Sequence, residues 1–185
     1  GELIAGASLE DGEWRAFMDH SADGVAWTAG EELQTKGGHA SLIQPTLWQS
    51  TPSDVHALFR SDVGRVYRAD SADGGRTWGT AYSTELPNNN SGIDVARLAD
   101  GTLLLVLNPV KGNWADRYPL RIAMSKDNGE SWSSYWDIET KPGEYSYPAI
   151  VPWEDPEKGL GVAITYTWNR RDVAFLSMSL SDLEK

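Results

Sequence analysis

The strongest constraint on this chain is a turn-forming octet that recurs. Ser71-Ala72-Asp73-Gly74-Gly75-Arg76-Thr77-Trp78 returns as Ser125-Lys126-Asp127-Asn128-Gly129-Glu130-Ser131-Trp132. A copy one residue shorter stands at Ser21-Ala22-Asp23-Gly24-Val25-Ala26-Trp27. The starts lie 50 and 54 residues apart, and a fixed spacing of that size marks a repeat architecture. Each copy follows an apolar, strand-like run. Within it, Ser and Asp side chains can bond backbone amides two or three residues on and so close a turn. Gly supplies the positive φ that other residues resist. The Trp can pack between neighbouring sheets while its N–H finds a carbonyl. The octet reports architecture and says nothing direct about chemistry.

Composition agrees with a turn-rich all-β chain: 18 Gly, 9 Pro and 9 Trp in 185 residues, with 40% hydrophobic content, enough for a packed core. The formal net charge of −11 argues against nucleic acid or an anionic membrane surface as partner. An anionic ligand would need local arginines to overcome that field. There is no cysteine, which excludes disulfides and thiolate metal sites and leaves the compartment open. No apolar run is long enough to span a membrane. The chain opens Gly-Glu-Leu-Ile without an initiator Met or signal peptide, and residues 3–5 already read as strand. The expectation is a chain that begins inside its fold.

Taken in order, strands are expected at 3–8, 14–19 and 26–28, then at 46–49, 55–60 and 66–69. Further strands are expected at 93–98 and 102–108, flanking Asp100-Gly101, a hairpin signal. Residues 120–124, 148–152, 161–168 and 173–179 complete the set, with a short helix near 181–185. Units of about four short strands repeated about every 50 residues suggest propeller blades, with approximate limits 1–43, 44–92, 93–143 and 144–185. Either the rest of a ring lies elsewhere, or the chain closes by self-association through its open edges.

The octet resembles the Asp-box, or BNR, repeat of sialidases. The segments Gln44-Pro45-Thr46-Leu47-Trp48, Leu86-Pro87-Asn88 through Ser91-Gly92-Ile93-Asp94, and Glu144-Tyr145-Ser146-Tyr147-Pro148 are similar to the sialidase-like BNR-repeat family. The resemblance covers essentially the whole chain and implies a six-bladed β-propeller of which this is the C-terminal part. It implies a site in which three arginines hold a substrate carboxylate, a Tyr paired with a Glu is the nucleophile, and an Asp is the acid/base. On this chain, Arg60 matches the second arginine, Arg117 the third, and Tyr145-Ser146 the nucleophile pair. The first arginine and the acid/base Asp have no counterpart here. Where the family has its Glu, this chain has Gln44, which cannot take a proton from a phenol; Glu144, Asp94 and Asp54 are the alternative carboxylates.

Arg presents a planar fork that meets a carboxylate with two parallel hydrogen bonds, so an arginine cluster in a propeller centre suits an acidic sugar. Arg60 and Arg117 can equally be structural partners of Asp residues on neighbouring strands. A Tyr nucleophile needs a base or a cationic field to lower its pKa. Tyr145 can also be a core aromatic, and Tyr147, two residues on, competes for the role on the same face of a regular strand. Asn88-Asn89-Asn90 offers amides to sugar hydroxyls, Asn90 foremost, or is a turn with left-handed residues. Trp48, Trp114 and Trp168 are candidate sugar platforms, Trp114 in a loop being the best. Arg97, Arg121, Arg170 and Arg171 read as surface or structural residues. His20, His39 and His56 show no metal-ligand spacing, and neither a metal nor a cofactor is expected. The first expectation is therefore an exo-glycoside hydrolase acting on a terminal acidic sugar, sialic acid or uronate-type, of a glycan. The alternatives are a non-catalytic carbohydrate-binding or interaction propeller, and a glycan-active enzyme that uses a carboxylate such as Asp94 or Glu144 in place of the Tyr.

Overall fold

The structure, a computed structural model, describes residues 2–184. It holds four antiparallel sheets, in each of which the strands pair in sequence order. The first contains β1 (Leu3–Leu9), β2 (Arg15–Ser21) and β3 (Thr28–Ala29). The second contains β4 (Leu42–Gln49), β5 (Val55–Ser61), β6 (Arg65–Ser71) and β7 (Tyr82–Pro87). The third contains β8 (Asp94–Arg97), β9 (Leu103–Leu107), β10 (Leu120–Ser125) and β11 (Ser134–Glu139). The fourth contains β12 (Tyr145–Asp155), β13 (Gly159–Trp168) and β14 (Asp172–Ser179). A short helix, α1 (Leu180–Leu183), follows, started by a capping box between Ser179 and Asp182. Lys185, at the end of the expected helix, lies outside the described residues. Among the described residues no helix is long and apolar enough to cross a membrane.

The first strands of successive sheets, β1, β4, β8 and β12, adjoin one another. The later strands fan outward, as in the blades of a β-propeller. Sheets pack face to face through three apolar layers. Met18, Phe59 and Ala69 fill the layer between the first and second sheets. Leu58, Leu103 and Leu105 fill that between the second and third, and Leu104, Ile122 and Ile164 that between the third and fourth. β9 is buried on both faces because both flanking layers claim it, which explains its unbroken Leu-Leu-Leu-Val-Leu run. Burying each such side chain stabilises the fold by about 1.5–3 kcal/mol before entropy is counted.

The octets do what their composition dictates. In the second copy, the Ser71 hydroxyl donates to Asp73 Oδ1 at 2.8 Å and accepts from the Gly75 amide at 2.9 Å. Asp73 in turn accepts from the Thr77 amide and hydroxyl, and the Trp78 N–H reaches the Gly75 carbonyl at 2.8 Å. Gly74 and Gly75 have φ of +76° and +86°, open to Gly at no steric cost. The third copy repeats the pattern through Ser125, Asp127 and Ser131. In the shortened first copy Asp23 accepts from the Val25 and Ala26 amides, Ala26 has no hydroxyl to match that of Thr77, and Trp27 stays exposed. The outermost strands β7 and β11 fall outside the strands expected from the sequence. Their mixed polar sequences carry no clean alternation.

Two irregularities shape the centre. β4 breaks register with β5 between Ile43 and Thr46, and β12 breaks register with β13 between Ser146 and Ala149. Within each break stands a left-handed residue followed by Pro: Gln44 (φ +52°) before Pro45, and Tyr147 (φ +50°) before Pro148. Such bulges re-aim a side chain, and Pro, having no N–H to give the ladder, sits where the ladder is already broken.

Candidate functional site

The two bulges bring Gln44 and Tyr147 to either side of Gly92. A Cβ built on Gly92 would stand 3.3 Å from Tyr147 Cδ1 and 3.7 Å from Gln44 Oε1. Arg60, at the end of β5, reaches between them. Its Nη1 donates to Gln44 Oε1 at 3.0 Å, its Nε to Asn90 Oδ1 at 3.0 Å, and its Nη2 to the Asn90 carbonyl. Arg60 is 2% exposed, and its guanidinium lies 5.8 and 5.9 Å from the ring centroids of Trp14 and Trp114, which meet edge to face. Arg117 lies ahead of β10. Its guanidinium stands 5.2 Å from the Tyr147 ring centroid and 3.2 Å from Glu144 Oε1. Cation–ring contacts of this kind are attractive, more so when water is excluded.

Tyr147 is half exposed, and its phenol is held below its ordinary value. Burial opposes ionisation, but the hydrogen bond and charge of Arg117, and then those of Arg60, outweigh it. Arg60 is itself held below its usual value, burial being the chief cause. Glu144 is held below the usual carboxylate range by Arg170, against burial, with help from Ser146 and Arg117. In a chain of net charge −11, the bulges thus open on a cationic island.

Tyr145, the residue expected as nucleophile, does not share this setting. It is 4% exposed, packs in the layer between the third and fourth sheets, and meets Tyr166 edge to face. Desolvation and the charge of Glu139 raise its phenol above the ordinary value. The bulge is the reason. With Tyr147 left-handed, Tyr145 and Tyr147 no longer project to one face as they would on a regular strand.

Asp94, one of the alternative carboxylates, is engaged within the fold. Its Oδ1 accepts from Thr46 Oγ1 at 2.6 Å and from the Val95 amide at 3.0 Å, and its Oδ2 from the Ile150 amide at 2.9 Å. The carboxylate stitches β4, β8 and β12 together. Asn90, expected to meet sugar hydroxyls, is fully buried: it carries Arg60 and donates to Asn113 Oδ1 at 2.7 Å. Its neighbours are equally buried: Asn88 bonds Ser91 and Asn90 within the loop, and Asn89 donates to the Asp116 carbonyl at 2.7 Å. Asp54 lies in the β4–β5 turn with Thr51. Trp48 is core, its N–H on Asn128, while Trp114 is 62% exposed beside Arg60.

Sequence reasoning left out Trp14, Glu10, Asn113 and the contact of Arg170 with Glu144. Gln44 Nε2 donates to Glu10 Oε1 at 3.3 Å. All four come from neighbouring strands or loops, so no local pattern announces them. Among the described residues no group of three or more His, Cys, Asp or Glu is placed to hold a metal ion.

Comparison with known proteins bears on this geometry. No curated protein matches the chain. Among solved structures, the Hadza microbial sialidase Hz136 superposes with a TM-score of 0.77 at 17% identity, over 99% of this chain and 36% of that one. NanB sialidase from Streptococcus pneumoniae gives 0.72 at 16%, over 98% and 29%. The leech intramolecular trans-sialidase gives 0.67 at 17%, over 98% and 30%. The chain thus spans about a third of the length of these structures and shares their fold, a β-propeller of the sialidase type. The model of the BNR repeat-like domain matches residues 1–161. With that match across most of its length, and with the octets closing its turns, the chain belongs to the BNR repeat-like domain family.

Proposed function

We propose that this chain carries the central site of a sialidase-like exo-glycoside hydrolase. The substrate is a terminal acidic sugar, sialic acid or uronate-type, of a glycan. Tyr147, in place of Tyr145, is the nucleophile, and Arg60 and Arg117 supply the field that attracts the sugar carboxylate. One observation carries the reading: the half-exposed Tyr147 phenol lies against two guanidiniums that lower its pKa. A phenol is a poor nucleophile at its ordinary value near about 10 and a usable one when cations favour the phenolate. Attack by its oxygen on the anomeric carbon forms the glycosyl–tyrosine bond as the bond to the leaving oxygen breaks. The proton for that oxygen comes from an acid outside the residues gathered here, because the oxygens of Asp94 are engaged between strands.

The test is hydrolysis of a fluorogenic 4-methylumbelliferyl sialoside by the whole protein. Tyr147→Phe should lose roughly a thousandfold or more in kcat, the scale of removing a nucleophile. Tyr145→Phe should stay within about threefold, its hydroxyl lying in the core. Turnover that survives in Tyr147→Phe would sink the assignment.

A second reading, a carbohydrate-binding propeller without turnover, is favoured by Gln44. At the mouth of the site an amide stands beside Arg60, Glu10 bonds that amide, and Glu144 is occupied by two arginines. Sialoside binding without turnover would select it. Turnover confined to uronate-capped substrates, with Tyr147→Phe still active, would point to carboxylate chemistry at Glu144.

A further inference from the structure

Glu144 stands between two guanidiniums. Its Oε1 faces Arg117 Nη1 at 3.2 Å, and its Oε2 pairs with Arg170 Nε. Arg170 comes from the turn between β13 and β14, where Asn169 and Arg170 both take left-handed backbone, with φ of +51° and +53°. Two successive residues of that kind form the tight hairpin turn that matches strand twist. Asn tolerates the left-handed region and a long side chain resists it, so a sequence choosing turn stability alone would place Gly at 170. The turn is also fastened to Glu144 itself. The Asn169 amide donates to the Glu144 carbonyl at 2.7 Å, and the Glu144 amide donates to Asn169 Oδ1 at 2.9 Å.

We propose that Arg170 is a positioning residue for the site: by occupying one oxygen of Glu144 it leaves Arg117 with uncompensated positive charge toward Tyr147 and toward an acidic sugar bound there. The proposal rests on the reading above that such a sugar is the ligand. The charge count supports it. One carboxylate shared by two guanidiniums leaves the trio at a net single positive charge. Without Arg170, the Glu144–Arg117 pair would be neutral. The charged groups acting on Tyr147 are Arg60 at the end of β5, Arg117 ahead of β10 and Arg170 from the β13–β14 turn; Glu144 at the head of β12 engages Arg117 and Arg170, and Glu10 beyond β1 acts on Arg60. Of these, Arg170 is the one that is 70% exposed and bonded to nothing in the core, so its removal tests charge with little disturbance of packing.

Calorimetric titration of the whole protein with N-acetylneuraminic acid and with its methyl ester makes the test. Arg170→Gln should weaken binding of the acid roughly three- to tenfold, a modest effect because solvent screens an exposed cation. Binding of the neutral ester should not change. Arg170→Lys should recover most of the loss, and the loss should shrink in high salt. Equal affinity of wild type and Arg170→Gln for the acid would overturn the proposal. A second readout needs no ligand: the tyrosinate absorbance of each protein minus that of its Tyr147→Phe counterpart reports Tyr147 alone. Arg170→Gln should move that titration to higher pH, and an unmoved titration would overturn the proposal. If wild type binds neither probe, the sugar-site reading falls, and the titration still decides the role of Arg170.

Discussion

Two buried arginines on adjacent strands face opposite fates. Arg60, on β5, is 2% exposed and lies against Trp14 and Trp114; Arg68, on β6, is 3% exposed and lies 5.4 Å from the Trp48 ring centroid. Their surroundings are equally dry and equally aromatic. Their acceptors differ. Arg68 pairs with Asp70 at 2.8 Å and Glu130 at 3.2 Å, and bonds the Asn128 carbonyl at 3.1 Å. Its charge is matched, and its work is to tie the second sheet to the octet turn after β10. Arg60 bonds the neutral oxygens of Gln44 and Asn90 and faces the Tyr147 phenol, and among the described residues no carboxylate pairs with it. A buried charge without a counter-ion is expensive. Packing alone would replace it with an apolar residue. On the proposed function, an acidic ligand would bring the carboxylate that Arg60 lacks.

That contrast is easiest to break by removing each charge in turn. Arg60→Met should reduce affinity for N-acetylneuraminic acid roughly 100-fold, the scale of a charged hydrogen bond lost in a dry site. Calorimetry reads this directly, and binding within twofold of wild type would refute the functional reading of Arg60. Arg68→Met should leave that affinity within about twofold, because its guanidinium bonds Asp70, Glu130 and the Asn128 carbonyl and none of the residues gathered around Tyr147. It should instead cost about 2 kcal/mol of stability in urea unfolding, because Asp70 and Asn128 lose their partner. The figure sits below that of a fully buried pair because both acidic partners are partly solvated.

What could be read in the sequence divides along the same line. The octets and strand ladders are closed by hydrogen bonds between residues two to four apart, or by alternation along a single strand, so the repeat, the all-β class and the propeller arrangement were legible. The site is built from residues far apart in the chain. Asp94 resembled a free acid because its partners, Thr46 and Ile150, lie 48 and 56 residues away. Asn90 resembled a sugar ligand because nothing local shows that Arg60 buries it. Regular alternation puts Tyr145 and Tyr147 on one face, so alternation alone does not separate their settings. The cue was present: Pro148 inside a strand signals a bulge, and Gln44-Pro45 repeats it in β4. Arg170 was read as a surface residue because it is one; only its contact with Glu144 gives it more to do.

Gln44→Glu sharpens the comparison by giving Arg60 what Arg68 already has. The new carboxylate would stand where Gln44 Oε1 now accepts from Arg60 Nη1 at 3.0 Å. It should neutralise much of the field that reaches the ligand and weaken binding of N-acetylneuraminic acid roughly five- to tenfold, less than Arg60→Met because the guanidinium remains. Glu10, now bonded to the Gln44 amide, would repel the new charge. Tyr147 should titrate at higher pH in this variant, seen as a shift of its tyrosinate absorbance. Unchanged affinity and an unchanged phenol would mean that Arg60 does not address the ligand through its charge.

The smallest expected effect is a pH signature that belongs to Arg68 and not to Arg60. Burial pushes the Asp70 carboxyl up, but hydrogen bonds from His56, Arg68 and Tyr82, with the charge of Arg68, hold it at about 2. In the unfolded chain it returns to about 3.9. A carboxylate whose folded value is depressed stabilises the fold above its unfolded value, and that stability drains as pH falls from about 4 toward about 2. The Asp70 side chain is 37% exposed, so the contribution is about 1 kcal/mol after screening, or about 2–4 °C in melting temperature for a chain of this size. Melting curves from neutral pH down to the acid range should therefore fall more steeply for wild type than for Asp70→Asn. Asp73 and Asp127 titrate low as well, but they do so in both proteins and cancel in the difference. Gln44→Glu should acquire an acid limb of the same sign, since its new carboxyl is depressed by Arg60 and protonated on acidification. Parallel curves for Gln44→Glu and wild type would show that Arg60 and residue 44 do not form the charged pair that Arg68 and Asp70 form.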